Sequence, residues 1–347
     1  MSAAGAVLGW DIGGVNTKVA RLSPTADGPV LRSASLAYEI KDDPLALADT
    51  LERAASSVGG EVGDRHAVTM TAELSQAFHT KREGVEFILD ALEATFSGCE
   101  LCVYTVEGSF LSTTEARKAP LLVSAANWTA TASLVARSFP TCVLLDIGTT
   151  SADLIPVVNG EVRAQGRTDP ERLLSGELVY TGALRTPAEA IASHVPLWDG
   201  DAGVAADGFA LIGDAHLWLG RLEPRDYTCR PPDGSVPSRE SAAERLARVV
   251  CADRDMLDDP SVDRIARALA RAQVDTVAAA LGRILARWPS IRLAVVAGLG
   301  DFIATEAARR LGLEIVPLAD RLGPSARTAP AAAVAWLLWS SAEPARD

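Results

Sequence analysis

The stretch Leu144–Val162 reads LLDIGTTSADLIPVVNGEV, and an earlier stretch, Leu8–Lys18, reads LGWDIGGVNTK. In each, an apolar run ends on Asp-Ile-Gly, a short turn follows, and a second strand-like run leads away. An apolar run closed by glycine is a buried strand entering a turn. One such hairpin is ordinary, since Asp-Gly turns are common. Two copies in one α/β chain imply two similar domains facing each other across a cleft.

Around these anchors the remaining pattern alternates between strand and helix. Val30–Tyr38 extends the first hairpin into a three-strand meander. Lys81–Phe96 has Val85, Ile88, Leu89 and Leu92 on one side of an amphipathic helix. The second hairpin continues through Asn159-Gly160, a strong turn signal, to a returning strand. The segment Thr186–Pro237 is rich in Gly, Pro and Asp and reads as loop-heavy. Helices are expected over Glu240–Ala252, Ser261–Trp288, Phe302–Leu311 and Ala326–Ser340, with short strands at Ile291–Ala297 and Glu314–Val316.

The motifs carry an anion-binding reading. Asp11 and Asp146 end buried strands, where a carboxylate suits Mg²⁺ directly or through water. Gly13, Gly14 and Gly148 allow close backbone approach to an anion. Asn16, Thr17, Lys18, Thr149 and Thr150 offer donors to phosphate oxygens. Asp153 opens the returning strand of the second hairpin and is the first candidate for a general base. Glu73 is the second, or else a surface acid. In Val295–Gly312, VVAGLGDFIATEAARRLG, Gly298 and Gly300 lie between a strand and a helix N-terminus, a place that favours polar or negative ligands. Trp128, beside Asn127, is either a core residue or a platform for an aromatic substrate.

The bulk numbers bound the partners. A net charge of −12 disfavours nucleic acid and anionic membranes. The most apolar late run, Ala331–Trp339, is too short for a bilayer, which takes about 20 residues. No secretory signal is visible after Met1, and five cysteines without a framework suggest reduced thiols, so a cytoplasmic location is expected. Cys99 and Cys102 form a lone CxxC without the further ligands a zinc site needs. No two of His66, His79, His194 and His216 have the spacing of a helical metal site. Homo-oligomerisation is left open.

The two Asp-Ile-Gly hairpins and the Gly298–Gly300 turn, in this order, resemble the two phosphate loops and the adenosine loop of the actin-like ATPase and sugar kinase superfamily. The resemblance implies a two-domain, duplicated actin-like (ribonuclease H-like) α/β fold. It implies one lobe from 1–125 plus 325–347 and a second from 126–324. TAELSQAF (Thr71–Phe78), DIGTTSADL (Asp146–Leu154) and GDAHLWLGRL (Gly213–Leu222) resemble the hydantoinase A/oxoprolinase group, whose members are usually larger and split amide or lactam rings with ATP. LGWDIGGVNTK, ANWTATA (Ala126–Ala132) and GELVYTGALRTP (Gly176–Pro187) resemble a small subgroup tied to the tetrahydromethanopterin-linked one-carbon pathway and methanofuran assembly. That implies a transferase joining an aminomethylfuran-methyl diphosphate to the phenol oxygen of a tyramine, tyrosine or glutamylated acceptor, with release of diphosphate. The alternatives are an ATP-dependent kinase or ring-opening amidohydrolase, which needs a good adenine pocket at Gly298–Phe302, and a non-enzymatic actin-like module.

Overall fold

The computed structural model describes residues 5–341. The outermost parts of the lobe expected from sequence, 1–4 and 342–347, lie outside the described residues. The opening meander is β1 (Val7–Ile12), β2 (Asn16–Ser23) and β3 (Val30–Ala37). With β4 (Arg65–Met70), β5 (Leu101–Tyr104) and β6 (Phe110–Ser112) it forms a sheet of order β3-β2-β1-β4-β5-β6. β4 runs parallel to β1, and β5 parallel to β4.

Side chains alternate across a strand, and β1 uses both faces. Leu8, Trp10 and Ile12 join Val19, Val68 and Met70 in a core with Leu47 and Leu51 of one helix and Val85, Ile88, Leu89 and Leu92 of another, Lys81–Thr95. On the other face, a Cβ on Gly9 would sit 2.0 Å from the Ala331 carbonyl oxygen and 2.8 Å from Ala335 Cβ. Only glycine lets the alanine-rich helix Ala329–Ser341 lie this close to the sheet.

The repeat builds a second sheet. β7 (Cys142–Ile147) and β8 (Ala152–Val158) are its Asp-Ile-Gly hairpin, and β9 (Glu161–Val162) returns along β8. Asn159 and Gly160 both have positive φ, 56° and 78°, as the expected two-residue hairpin turn requires. β10 (Leu178–Val179) covers the far edge of β8, and a separate hairpin joins β11 (His194–Leu197) to β12 (Gly200–Gly203). β13 (Leu293–Ala297) and β14 (Glu314–Pro317) complete the order β10-β8-β7-β13-β14.

Two compact units emerge. One takes the described residues up to Leu144, Ile155–Ser175 and those from Pro317 onward; the other takes Leu145–Leu154 and Gly176–Val316. These bounds differ from a division at 125/126 and 324/325. Helix Asn127–Ala136 packs on Ala329–Ser341 and so falls in the first unit.

The loop-heavy segment Thr186–Pro237 holds more structure than its composition suggests: β11, β12 and helix Ile212–Trp218. Its order rests on a buried ion pair. Asp214 Oδ1 accepts from Arg245 Nη2 at 2.7 Å, Arg245 Nε at 3.0 Å and Tyr227 Oη at 3.0 Å. Among the described residues no helix is long and apolar enough to cross a membrane, and no group of three His, Cys, Asp or Glu could hold a metal ion. All five cysteines are free thiols, so the CxxC pair is not a disulfide.

Candidate active site

In the first unit, β1 delivers Asp11 to the end of the sheet, 3% exposed. In register with Asp11 are Lys18 on β2 and Thr69 on β4. Strand alternation puts Asp11, Asn16, Lys18 and Thr69 on one face and Thr17, opposite Ile12, on the other. Thr17 is therefore not brought together with Asp11. Lys18 Nζ donates to Asp11 Oδ2 at 3.0 Å. Asp11 Oδ1, Asn16 Oδ1 and Thr69 Oγ1 are buried without a hydrogen-bond partner among the described residues. Buried polar atoms are rarely left so, and several on one face mark a place where an ion or water belongs.

The turn is a tight hairpin: Gly13 N–H donates to the Asn16 carbonyl at 3.0 Å, and a Cβ on Gly13 would lie 2.8 Å from that oxygen. At Gly14 nothing lies within 4 Å of a Cβ position. The second hairpin repeats this bond, with Gly148 N–H donating to the Ser151 carbonyl at 2.9 Å. The internal repeat seen in sequence is thus an atomic repeat.

Beyond β4 the chain makes a single 3₁₀ turn, Ala72–Leu74, which carries Glu73. Glu73 is 1% exposed and so is not a surface acid. Lys81 Nζ lies 3.5 Å from Glu73 Oε1 and 2.8 Å from Asp169 Oδ2. Burial, only partly offset by Lys81, pushes the Glu73 carboxyl up to about 7. Burial opposes the charge on Lys81, but Glu73 and Asp169 together hold its ammonium above its ordinary value. Asp169 also lies 3.5 Å from Arg172, whose guanidinium sits 4.4 Å from the centre of the Trp128 ring. Trp128 is buried, with Arg172 against its ring, which makes it a packing residue rather than an open platform. Asn127, at the start of that helix, is partly exposed.

In the second unit, Asp146 and the Gly298–Gly300 turn come together. Gly298 has φ +87°, and a Cβ there would lie 2.3 Å from the Ile147 carbonyl and 2.6 Å from Asp146 Oδ1. Gly300 N–H donates to that same carbonyl at 2.8 Å. Residues 181–185 hold the loop from another side. Ala183 N–H donates to the Gly148 carbonyl, and Leu184 and Arg185 both donate to that of Thr149. A Cβ on Gly182 would fall 2.4 Å from Thr150 N. Asp153 is buried on β8, in register with Leu178.

Sequence reasoning passed over Lys81, Asp169, Gly182 and Gln273. Gln273, fully buried in the long helix Asp259–Arg287, left no sequence signal apart from an amide within an otherwise apolar helix face. Lys81 and Asp169 left none, because only the fold joins segments so far apart in the chain.

A family model described as Hydantoinase/oxoprolinase matches residues 64–340. The chain is 36% identical over 302 residues to the (4-{4-[2-(gamma-L-glutamylamino)ethyl]phenoxymethyl}furan-2-yl)methanamine synthase of Methanocaldococcus jannaschii, covering 87% of this chain and 88% of that protein. The Methanococcus vannielii protein of the same name is 30% identical over 186 residues, 52% of this chain and 83% of its own. Among solved structures, nucleotide-free acetone carboxylase superposes with a TM-score of 0.61 at 14% identity, over 95% of this chain and 70% of that one. The likeness at that identity concerns the fold alone. With the family model matching most of its length, the chain belongs to the hydantoinase/oxoprolinase family.

Proposed function

We propose that this chain is an alkyltransferase of methanofuran-type coenzyme assembly. It joins an aminomethylfuran-methyl diphosphate to the phenol oxygen of a tyramine, tyrosine or glutamylated acceptor. The observation that carries the reading is the 36% identity, over 87% of the chain, to the methanamine synthase. In the reaction the furfuryl carbon–oxygen bond breaks, diphosphate leaves with the electron pair, the phenol oxygen bonds to that carbon, and the phenol proton passes to a carboxylate.

The residues fit these tasks. The Gly13 and Gly148 amides close their own hairpins, so the backbone donors for phosphate fall to Gly14-Val15 and Thr149-Thr150. Asn16 and Lys18 add side-chain donors on the Asp11 face. The unpartnered Oδ1 of Asp11 fits Mg²⁺, which takes one or two carboxylates and fills its shell with phosphate and water. Asp11 would hold the ion, which would supply neutralisation of the leaving diphosphate, and Asp146 is the second carboxylate proposed for metal. Asp153 and Glu73 are the carboxylates proposed for the proton. The proton affinity of Glu73 suits the task, since a base titrating near neutrality is most effective there. It is enclosed, so an acceptor reaches it only if the Ala72–Leu74 turn opens. We assign Gly298 and Gly300 to the furan end and Asn127 to the acceptor. Free thiols and the absence of a spanning helix among the described residues support a cytoplasmic setting.

The test is mass spectrometry of products from the furan diphosphate with a panel of phenolic amines, with and without ATP. The expected result is an ether product and diphosphate without ATP. ATP hydrolysis that rises with the phenolic amine, or is tied to opening of a lactam ring, would replace this reading with the kinase or amidohydrolase one.

A further inference from the structure

His216 is fully buried in the GDAHLWLGRL segment, far in sequence from the phosphate loops. Its Nε2 lies 2.8 Å from Gln273 Oε1. The other end of the Gln273 amide, Nε2, reaches the Gly182 carbonyl at 2.7 Å and Thr181 Oγ1 at 2.8 Å. A backbone carbonyl only accepts, so the Gln273 NH₂ must face Gly182 and its oxygen must face His216. His216 Nε2 is then the protonated nitrogen. Nδ1 is buried without a hydrogen-bond partner, and burial lowers the ring to about 4, so it stays neutral.

From this pair two supports run to one loop. The first passes through Thr181-Gly182, which Thr186 Oγ1 also braces at 3.1 Å and 3.2 Å, into the Gly148 and Thr149 carbonyls. The second passes through Phe302, whose ring meets His216 edge-on at 4.8 Å between centroids. Phe302 follows Gly300-Asp301 at the start of its helix, and Gly300 N–H holds the Ile147 carbonyl. The loop 147–150 is thus gripped on both sides by residues that converge on His216 and Gln273.

We propose that His216 and Gln273 are positioning residues that set the shape of loop 148–150 and thereby its affinity for phosphate groups. The proposal rests on the reading of that loop as a phosphate site. The peptide groups at Thr149 and Thr150 bind an anion only in one orientation. The Gln273 amide fixes the Gly182 carbonyl, and Gly182 lies directly against those peptide groups.

The experiment uses the full chain with Gln273→Leu, His216→Gln and Gly182→Ala, and inorganic diphosphate with Mg²⁺ as the probe. Gly182→Ala overlaps backbone atoms and is the variant that risks misfolding. Gln273→Leu removes the amide and leaves a side chain one heavy atom smaller, too small a change to disrupt the helix. Affinity is read by calorimetry, and folding by circular dichroism and thermal melting. In turnover, KM for the furan diphosphate is compared with KM for the phenolic amine. The expected result for Gln273→Leu is at least tenfold weaker diphosphate binding and a raised KM for the diphosphate substrate, with KM for the amine unchanged. His216→Gln, which still offers an amide N–H to Gln273, should recover most of the affinity. A Gln273→Leu protein that melts earlier but binds diphosphate as tightly as wild type overturns the proposal. If wild type binds ATP and not diphosphate, the transferase reading fails instead. ATP affinity then serves as the readout: at least tenfold weaker binding in Gln273→Leu upholds the positioning role, and unchanged binding overturns it.

Discussion

The two Asp-Ile-Gly hairpins share one backbone hydrogen bond and differ in everything around it. The Asp11 hairpin is held by its own strands and by charge: Lys18 lies against Asp11, and unpartnered oxygens share its face. The Asp146 hairpin is also held by neighbouring backbone: Ala183, Leu184, Arg185 and Gly300 donate to its carbonyls, and Gly182, Gly298 and Gly300 abut its atoms so closely that no side chain fits. One copy gathers unpartnered side-chain oxygens, and the other is gripped by neighbouring backbone. A duplicated motif has kept its turn while its two surroundings differ.

The sharpest way to break this contrast is to neutralise each carboxylate. Asp11→Asn and Asp146→Asn should each lower turnover by roughly 10²–10³-fold with folding intact, the scale on which loss of an electrostatic contact to developing charge is felt. Steady-state rates in millimolar Mg²⁺ check this, and near wild-type rates for either would remove that hairpin from the chemistry. Stability should then separate the copies. Gly298→Ala forces a Cβ into backbone at positive φ and should cost about 2–4 kcal/mol. Gly14→Ala meets open space and should change stability by less than about 1 kcal/mol. Urea unfolding of the pair decides it, and equal losses would mean the first loop is as confined as the second.

A subtler difference lies in pH. The folded chain holds the Glu73 proton up to about 7, against 4.5 for an ordinary glutamate. A carboxyl with a raised folded value binds its proton more tightly when folded, so stability falls as pH climbs from the unfolded value through the folded one. The penalty is absent below about 4.5 and complete above about 7, and amounts to about 3 kcal/mol. Glu73→Gln should therefore melt progressively higher than wild type as pH rises from 5 to 8. A gap that does not change across that window would show that Glu73 is already ionised at pH 5. The smallest effect is expected at Lys18, a partly exposed point charge. Lys18→Ala should weaken diphosphate binding roughly tenfold by calorimetry, and no loss would mean that Lys18 serves Asp11 alone.

Much of this was legible in the sequence. Strand-ending aspartates, the opening meander and the Asn159-Gly160 turn follow from local rules that act over a few residues. The burial of Glu73 was not legible, because it depends on Gly84, Lys81 and Asp169 arriving from other segments. Thr17 looked like a phosphate donor by type, yet strand alternation turns it to the face opposite Asp11. Trp128 could be read as core or as a platform, and Arg172, from a separate helix, lies against its ring and decides for packing. Gln273 hid in a helix whose pattern reads as ordinary core. Residues whose role comes from one contact across the chain leave no periodic trace.

The bareness of Gly9 also bears on how the chain is born. The first sheet is complete in sequence by Ser112, yet the helix that rests on Gly9 begins only at Ala329. The second unit, by contrast, has all its residues by Val316. During translation the earlier-made sheet therefore waits with the Gly9 side lacking this helix, while the later-made unit already has everything it needs to fold. The order in which the units begin is the reverse of the order in which they have all their residues.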